Sequence, residues 1–481
     1  MNQSQREFGD FQTPDSLAIQ CTAVLKRRFY SRRRPSPSCV VEPTCGEGRF
    51  LAAAVDCFDP DQAFGFEINP DYAKQARRRL SGRATIRRAN FFQKDWCKWF
   101  AGLPEETLVI GNPPWVTNSE QGAIGAENLP AKMNLHQSNG IDAITGKSNF
   151  DISESMLIQL LDALSDRPAT IAMLCKTAVA RKVLLHRWKN GGGISRAAVI
   201  RIDAKREFSA SVDACFFVAQ LGGKETTTCD VFDSLETDQA SSKFGLVDEA
   251  LVANVDAFHQ TRHLRAAESD RERPWRSGVK HDCAKVMELK ENDGVFYNGL
   301  GEVVNVESDV LFPLLKSSDV AGGRTKRPTR WILMTQRTVG EDTSRLQTQA
   351  PKAWAYLSDH ATLLQRRKSA IYRGRPPFSI FGVGPYTFSR AKVAVSSLYK
   401  QITFTPVGTF RGKPIVLDDT CYSLACTSQR EATGISQALN SPLAEEFLSA
   451  LVFSDAKRPI TCGILQQLDI DKLCNAMCVA P

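Results

Sequence analysis

Residues 40–48 read Val-Val-Glu-Pro-Thr-Cys-Gly-Glu-Gly, and an alanine-rich segment follows them. An apolar run that enters a glycine-rich turn and then such a segment is typical of a strand, a tight turn and a helix. Glycines in this turn let the backbone approach a ligand at the carboxyl edge of a parallel sheet. The stretch favours an α/β fold that binds a nucleotide-like molecule at this edge.

Two further apolar runs end in polar residues at the spacing of strand–helix repeats. Glu67 and Ile68 follow one run, and Asn90 and Phe91 follow the other. A carboxylate at Glu67 could bond both hydroxyls of a ribose while Ile68 packs on the adenine of an adenosyl group. The alternatives are structural, with Glu67 as a surface cap and Phe91 as a core residue.

A fourth apolar run leads into Asn112-Pro113-Pro114-Trp115. The exocyclic amine of adenine has a delocalised lone pair, so it needs hydrogen-bond acceptors to attack a sulfonium methyl group. The Asn112 carboxamide oxygen and the Pro113 carbonyl could each accept one N–H, and two prolines would hold these acceptors in place. Trp115 offers a ring for base stacking. The alternative is a stiff turn that simply leaves a strand.

These motifs, in this order over most of residues 8–220, resemble the γ-class DNA adenine-N6 methyltransferases of type II restriction–modification systems. The resemblance implies a Rossmann-like class I methyltransferase sheet with helices on both faces, with S-adenosylmethionine as cofactor. The sequence departs from the family pattern at Asn90, where an aspartate is common, and at Cys45, where a small residue is common. The cofactor-binding residues that we predict are Phe11, Thr13, Glu42, Thr44, Gly46, Glu67, Ile68, Asn90, Phe91 and Asn112.

The same resemblance assigns the catalytic turn to Asn112, Pro113, Pro114 and Trp115, and it predicts that Phe208 stacks on the opposite face of the extruded base. Core packing is the alternative role for Phe208. Between the turn and residue 150 the chain is polar and rich in Gly, Asn, Ser and Gln, without helix or strand periodicity. We expect residues 116–149 to form a flexible loop that closes over the flipped base, with a disordered insertion as the alternative.

Length and composition indicate a two-domain protein without a membrane span. The 481 residues exceed what one core usually organises, and 42% of them are hydrophobic. We found neither a run of about 20 apolar residues nor an apolar N-terminal signal, so we expect a cytoplasmic protein. The 14 cysteines include no Cys-x-x-Cys pair, which favours reduced thiols and predicts no metal site.

The polar glycine stretch that begins at residue 221 suggests a domain boundary, with a catalytic domain over 1–222 and a second domain over 223–481. The second part resembles the mixed α+β target-recognition regions of type II methyltransferases. Arg, Tyr and Gly are interleaved there, and basic residues cluster within a net charge of +8. Such clusters suit DNA, although each alone is more often a solvated face. The predicted DNA-binding residues are Lys326, Arg327, Arg330, Arg367, Lys368, Tyr372, Arg373 and Arg375.

Together these observations predict a site-specific DNA adenine-N6 methyltransferase that acts on double-stranded DNA as a monomer, with a separate restriction endonuclease as a possible genetic partner. Two other substrates remain open, because RNA adenine methylation and protein glutamine methylation use a similar turn. A non-enzymatic binding module is the third alternative, if Asn90 weakens cofactor binding.

Overall fold

The computed structural model describes residues 12–30, 34–116, 151–267, 273–453, 455 and 458–478. Phe11, and all but the first residue of the loop expected at 116–149, lie outside the described residues. The chain divides into two compact units, Met1–Val255 and Asp256–Pro481. None of the described helices is both long enough and apolar enough to cross a membrane.

The first unit alternates strands and helices. Its described helices are α1 (Asp15–Phe29), α2 (Arg49–Phe58), α3 (Pro70–Leu80), α4 (Trp96–Phe100), α5 (Ile152–Ala163), α6 (Thr177–Lys189) and α7 (Ala204–Phe208). Its described strands are β1 (Cys39–Glu42), β2 (Gln62–Glu67), β3 (Thr85–Arg88), β4 (Thr107–Gly111), β5 (Ala169–Lys176), β6 (Ile194–Ile202), β7 (Ala214–Leu221), β8 (Thr228–Phe232), β9 (Ser242–Val247) and β10 (Ala250–Val252).

These strands form one ten-stranded sheet in the order β10-β9-β8-β6-β7-β5-β4-β1-β2-β3. Neighbouring strands from β3 to β5 are parallel, whereas β7 runs antiparallel between β5 and β6. The order reverses between β1 and β4, and in open α/β sheets ligands bind where the order reverses, outside the carboxyl ends of the strands. The predicted α/β architecture is therefore confirmed, and its topology locates the site.

Helices cover both faces of this sheet, and the central strands are therefore buried on both sides. Val40 and Leu108 belong to a buried cluster that includes Phe50 of α2. Side chains alternate along a strand, and the neighbours Val41 and Val109 are fully buried as well. Helices α5 and α6 pack together, and α6 packs on β5, β6 and β7. The predicted helices on both faces are present.

The predicted domain boundary at 222–223 differs from the observed division. Strand β8 begins at Thr228 and pairs in parallel with β6, and β9 and β10 extend the same sheet. The polar stretch that begins at residue 221 is thus a turn within the sheet rather than a linker. Its composition was misleading because tight turns and linkers use the same small polar residues.

The second unit mixes short helices with largely antiparallel sheets. Its described helices are α8 (Val255–Thr261, starting at the boundary), α9 (Ala284–Met287), α10 (Ser317–Ala321), α11 (Leu346–Gln349), α12 (Pro351–Asp359), α13 (Ala361–Gln365), α14 (Gln429–Leu439), α15 (Pro442–Leu451), α16 (Cys462–Leu465) and α17 (Ile470–Ala476). Its described strands are β11 (Arg276–Ser277), β12 (Glu288–Asn292), β13 (Val295–Tyr297), β14 (Val303–Val304), β15 (Leu311–Leu315), β16 (Arg330–Leu333), β17 (Ala391–Ser396), β18 (Phe404–Val407), β19 (Thr409–Phe410), β20 (Lys413–Pro414), β21 (Val416–Leu417) and β22 (Cys421–Cys426).

Three sheets organise the described strands of this unit. They have the orders β14-β13-β12-β16-β15-β21, β11-β22-β17-β18 and β19-β20, and only the pair β15–β21 is parallel. A core that includes Trp331, Leu357 and Phe378 joins the six-stranded sheet to α12. The expectation of a second, mixed α+β unit is confirmed.

Candidate active site

A cleft of about 850 Å³, counted out to its open mouth, lies at the carboxyl edge of β1, β2 and β4. Parallel pairing brings these strand ends together, since Glu42 is in register with Gly65 and Val41 with Val109. The cleft is lined by Gln12, Thr13, Glu42, Pro43, Thr44, Cys45, Gly46, Arg49, Phe50, Glu67, Ile68, Asn69, Tyr72, Ala89, Phe91, Asn112, Pro114 and Met156.

The glycine turn after β1 has the predicted conformation. Gly46 has φ +49°, and Gly48, the N-cap of α2, has φ +76°. Both values lie in the left-handed region of backbone conformation, which favours glycine. The Cys45 amide donates to the Phe66 carbonyl at 2.8 Å, which fastens the turn to the end of β2. A Cβ on Gly46 would lie only 2.8 Å from Oε1 of Gln12. The turn therefore presents bare backbone to the cleft.

Glu67 joins two loops at the cleft. Its Oε2 accepts from the Gly46 amide at 2.8 Å, and its Oε1 accepts from the Asn69 amide at 2.8 Å. An ionised carboxylate accepts several hydrogen bonds, and the hydroxyls of a ribose are donors of the kind that it accepts. Glu67 is buried, which contradicts its alternative role as a surface cap.

Glu42 is a second buried carboxyl at this edge. Its Oε2 accepts from the Leu51 amide at 2.9 Å, and only 3% of the residue is exposed. Burial raises the pKa of Glu42 well above its usual value, and the charge of Glu67 adds to that effect. A Cβ on Gly111, where φ is +157°, would lie 3.1 Å from Cγ of Glu42. A glycine before Asn112 thus lets the catalytic turn pass beside this carboxyl.

The other predicted cofactor residues that the structure describes divide into four that line the cleft and one, Asn90, that does not. Thr13, Thr44, Ile68 and Phe91 line it. Asn90 is not among the lining residues, and its Oδ1 accepts from the Phe92 amide at 3.0 Å. In the structure Asn90 is the cap of a short 3-10 turn, a role that its side chain performs with a local backbone donor.

The chemistry of this cleft fits an adenosyl sulfonium ligand. Two buried carboxyls, Glu42 and Glu67, suit its hydroxyls and its positive charges, while Ile68 and Phe91 provide apolar walls for a purine. The bare turn at Gly46 leaves room for close approach to the backbone.

Asn112 and Pro114 of the predicted catalytic turn line the cofactor cleft, so the structure places this turn beside it. Pro113 faces an adjoining cavity of about 200 Å³, shared with Phe91 and Met156. The indole nitrogen of Trp115 donates to the Leu174 carbonyl at 3.2 Å, which fastens the turn to β5.

Trp115 and Phe208 contact each other within a buried core cluster, which is the alternative role considered for Phe208. Their centroids are 5.0 Å apart in an edge-to-face arrangement, and 5% of Trp115 and 9% of Phe208 are exposed. Two apolar rings gain from covering each other. In this structure they do not flank an open slot for a base, so base stacking by both rings requires them to separate.

Lys176, at the end of β5, supports the catalytic turn and is absent from our predicted site. Its Nζ donates to the Trp115 carbonyl at 3.0 Å and contacts Oδ2 of Asp151 at 2.6 Å. Asp151 also caps α5 through the Ser153 amide. The position of Lys176 after a buried strand was the available sequence signal, because strand ends meet at this edge.

Nine of the eighteen residues that line the cleft were not predicted, and Gln12, Tyr72 and Met156 are three of them. Gln12 accepts from the Glu47 amide at 3.4 Å and so lies over the glycine turn. Tyr72 is in the first turn of α3, directly after the strand end that carries Glu67, and this order along the chain could have identified it. Met156 lies on α5 without any comparable local signal.

The predicted DNA-binding residues of the second unit fall into separate groups. Arg367 donates to the Leu364 and Ser379 carbonyls at 2.7 Å each and lies over the Tyr372 ring. Arg330 pairs with Asp319 at 3.1 Å. These contacts give Arg367 and Arg330 structural roles, because their polar groups are engaged within the unit, and the Arg367 guanidinium covers the ring of Tyr372. The remaining candidates, Lys326, Arg327, Lys368, Arg373 and Arg375, are exposed.

Among the described residues, no group of three or more His, Cys, Asp or Glu side chains could hold a metal ion.

Comparison with known proteins identifies the family to which the chain belongs. It is 42% identical over 483 residues to the type II methyltransferase M.NspV of Nostoc sp., a match that covers 99% of each chain. It is also 36% identical over 91 residues to the type II methyltransferase M.XamI of Xanthomonas campestris pv. amaranthicola, covering 18% of this chain and 17% of the other. No protein-family model matches the chain.

The fold resembles that of the type IIL restriction–modification enzyme MmeI, whose structure was solved in complex with DNA. The TM-score is 0.58 at 12% identity, and the match covers 97% of this chain and 68% of MmeI. At this identity the likeness concerns the fold alone. The full-length match to M.NspV, together with the cleft and the sheet described above, shows that the chain belongs to the type II methyltransferases and that its cofactor is S-adenosylmethionine.

Proposed function

We propose that this methyltransferase transfers the methyl group to N6 of an adenine that has been turned out of double-stranded DNA. The observation that carries the proposal is the placement of Asn112 and Pro114 in the cleft that also holds Glu67 and the Gly46 turn. The hydrogen-bond acceptor for an amine and the pocket for an adenosyl group thus lie in the same cleft.

The catalytic turn acts by accepting hydrogen bonds. The Asn112 carboxamide oxygen and the Pro113 carbonyl accept the two N–H groups of the adenine amine, which localises the nitrogen lone pair. The bound cofactor supplies the methyl group on a sulfonium, and transfer to nitrogen is direct. A new N–C bond forms as the S–C bond breaks, and the amine then loses one proton to solvent.

Adenine is the base that this turn favours. Adenine-N6 methyltransferases of this class carry Asn-Pro-Pro followed by an aromatic residue, as at residues 112–115, whereas cytosine-N4 enzymes more often carry Ser-Pro-Pro. No cysteine follows a proline as in the carbon-5 cytosine enzymes, so no covalent base intermediate is required. Trp115 and Phe208 would stack on the extruded base once their rings separate.

Duplex DNA is the substrate that the comparisons support. The full-length relative is a type II methyltransferase, and the similar fold of MmeI was solved with DNA bound. We further propose that the enzyme acts as a monomer in the cytoplasm and protects host DNA from a separate restriction endonuclease. The second unit, with its exposed basic residues, would select the DNA sequence.

The test is transfer of tritium from labelled S-adenosylmethionine to mixed-sequence duplex DNA, with single-stranded RNA and bulk protein in parallel. We expect the label in N6-methyladenine of the duplex, and we expect Asn112→Ala to reduce it by at least about 100-fold, the scale of losing a preorganised transition-state contact. A matched control is Asn190→Ala, since Asn190 is a polar residue at the end of α6, outside the cleft. Label in RNA or protein instead would disprove the DNA assignment, and label at cytosine would disprove the base.

A further inference from the structure

A second cleft lies in the second unit, and none of the predicted catalytic residues lines it. It measures about 1600 Å³ counted out to its open mouth. We call it the threonine cleft, and it is lined by Gly323, Thr325, Lys326, Arg390, Ala391, Thr405, Pro406, Gly408, Thr409, Ile415, Thr427, Ser428, Gln429 and Thr433. Six of these fourteen residues carry a hydroxyl group and none is aromatic, so the cleft offers hydrogen bonds rather than stacking.

The threonine cleft is positively charged. Lys326 and Arg390 line it and are both exposed. Neither has an ion pair among the described residues, and no aspartate or glutamate is among the lining residues. The nearby carboxylate of Glu431 is buried, where it pairs with Arg273 at 2.6 Å and accepts from the Thr427 hydroxyl at 2.6 Å. Two cations therefore face solvent without a local counter-charge.

The neutral donors of the cleft come from three different elements. Thr405 and Thr409 belong to β18 and β19, and Ser428 is the N-cap of the eleven-residue helix α14. Hydroxyl groups and exposed cations are groups that proteins use to contact phosphate oxygens. The donor set matches an anionic ligand that has several acceptor oxygens.

We propose that the threonine cleft binds the sugar–phosphate backbone of duplex DNA, with Lys326 and Arg390 neutralising phosphates. This inference rests on the proposed function, because it names the surface with which the second unit holds the substrate. A continuous strand suits the cleft better than a small anion, since the cleft is large and open to solvent and both of its cations are exposed. Contacts of this kind fix position and add affinity without reading sequence.

The test measures the salt dependence of binding to a short mixed-sequence duplex. The variant is Lys326→Gln with Arg390→Gln, and the matched control is Lys290→Gln with Lys400→Gln, two exposed lysines of the same unit that do not line the cleft. Each lost phosphate contact lowers the slope of log K against log salt by about 0.9. Between 50 and 200 mM salt, the cleft variant should therefore lose about tenfold less affinity than the wild type, whereas the control should follow the wild type.

The outcomes separate this inference from the proposed function. If the wild type binds and methylates duplex DNA but the cleft variant keeps the salt dependence of the control, the inference is wrong and the proposed function stands. If the wild type binds no duplex, both are wrong. Inorganic phosphate, compared with chloride at equal ionic strength in a thermal melt, forms a separate arm. Stabilisation by phosphate that the cleft variant loses, without any change in DNA salt dependence, would identify a free-anion site and overturn the proposal.

Discussion

The ammonium group of Lys176 lies 2.6 Å from a carboxylate oxygen of Asp151 and donates to the Trp115 carbonyl at 3.0 Å. This pair connects the end of β5, the start of α5 and the last residue of the catalytic turn. Positioning of this kind matters in catalysis because small displacements of reacting groups are costly. We therefore propose that Lys176 is a positioning residue, which would act on the substrate through the predicted catalytic turn.

Substitution of Lys176 by methionine should slow methyl transfer while preserving cofactor binding. The turn would lose its link to Asp151, and we expect kcat to fall by about 10- to 100-fold, on the scale of a misplaced catalytic group. Single-turnover methylation and calorimetric binding of S-adenosylmethionine would measure the two effects. Lys176→Arg, which keeps a donor and a charge, should recover most of the rate, and equal losses in both variants would contradict the positioning role.

Gly46→Ala should weaken cofactor binding more than an equivalent change elsewhere. Gly82 is the matched control, because it also has a positive φ, +83°, but a Cβ there meets no atom within 4 Å. Both variants pay roughly 1–2 kcal/mol of left-handed backbone strain, whereas only the change at Gly46 pushes a methyl group against Gln12. We expect calorimetry to show weaker cofactor binding for Gly46→Ala alone, and equal weakening in both would refute the close-approach explanation.

Cofactor affinity should increase with pH through the raised pKa of Glu42. Burial favours the protonated carboxyl in the free protein, and a positively charged ligand beside it favours the ionised form, so binding releases a proton. Calorimetry in buffers of different ionisation enthalpy would detect that proton. Glu42→Gln should remove both the proton release and this part of the pH dependence. Unchanged proton release in that variant would assign it to another group.

Lys392 predicts a pH dependence of stability in the second unit. It is 1% exposed, its Nζ donates to the Thr387 and Ile415 carbonyls at 2.8 and 2.9 Å, and burial lowers its pKa to about 7. Between that value and the unfolded pKa of about 10.4, the unfolded chain binds more protons, so the free energy of unfolding rises with pH.

Lys392→Met should remove this contribution. Relative to the variant, the wild type should gain about 2.7 kcal/mol from pH 6 to pH 9, at roughly 1.4 kcal/mol per pH unit above the folded pKa. Thermal unfolding at several pH values measures the difference. Lys290→Met, which changes an exposed lysine, should leave the pH dependence intact. Parallel curves for the wild type and Lys392→Met would show that Lys392 stays charged when buried.

Local sequence patterns predicted those residues of the site that lie at or just after the end of a strand. Glu67 ends a strand, Gly46 lies in the turn after a strand and Asn112 follows a strand directly, and a parallel sheet brings such ends together whatever the rest of the chain does. Asn90 also follows a strand, yet its side chain bonds the backbone two residues later. A short-range bond of this kind competes with a ligand for the side chain. The identity of the residue alone does not reveal whether the side chain bonds the backbone or the ligand.

The second unit was less predictable because its basic residues acquire partners from distant parts of the chain. Arg367 bonds the His281 carbonyl, which is 86 residues away, and Arg330 at the start of β16 pairs with Asp319 of α10, 11 residues earlier. A basic cluster in sequence shows where the charges lie, but not which of them are already satisfied.

The ten-stranded sheet ends in two strands that are poor templates for further pairing. The last strand on one side, β10, is three residues long. On the other side, β3 exposes Thr85, Arg87 and Arg88 and buries only Ile86. Short edges and charged edge side chains discourage another chain from adding a strand. A large sheet that would otherwise invite fibrous aggregation is therefore self-limiting, and stable association between copies would have to use other surfaces.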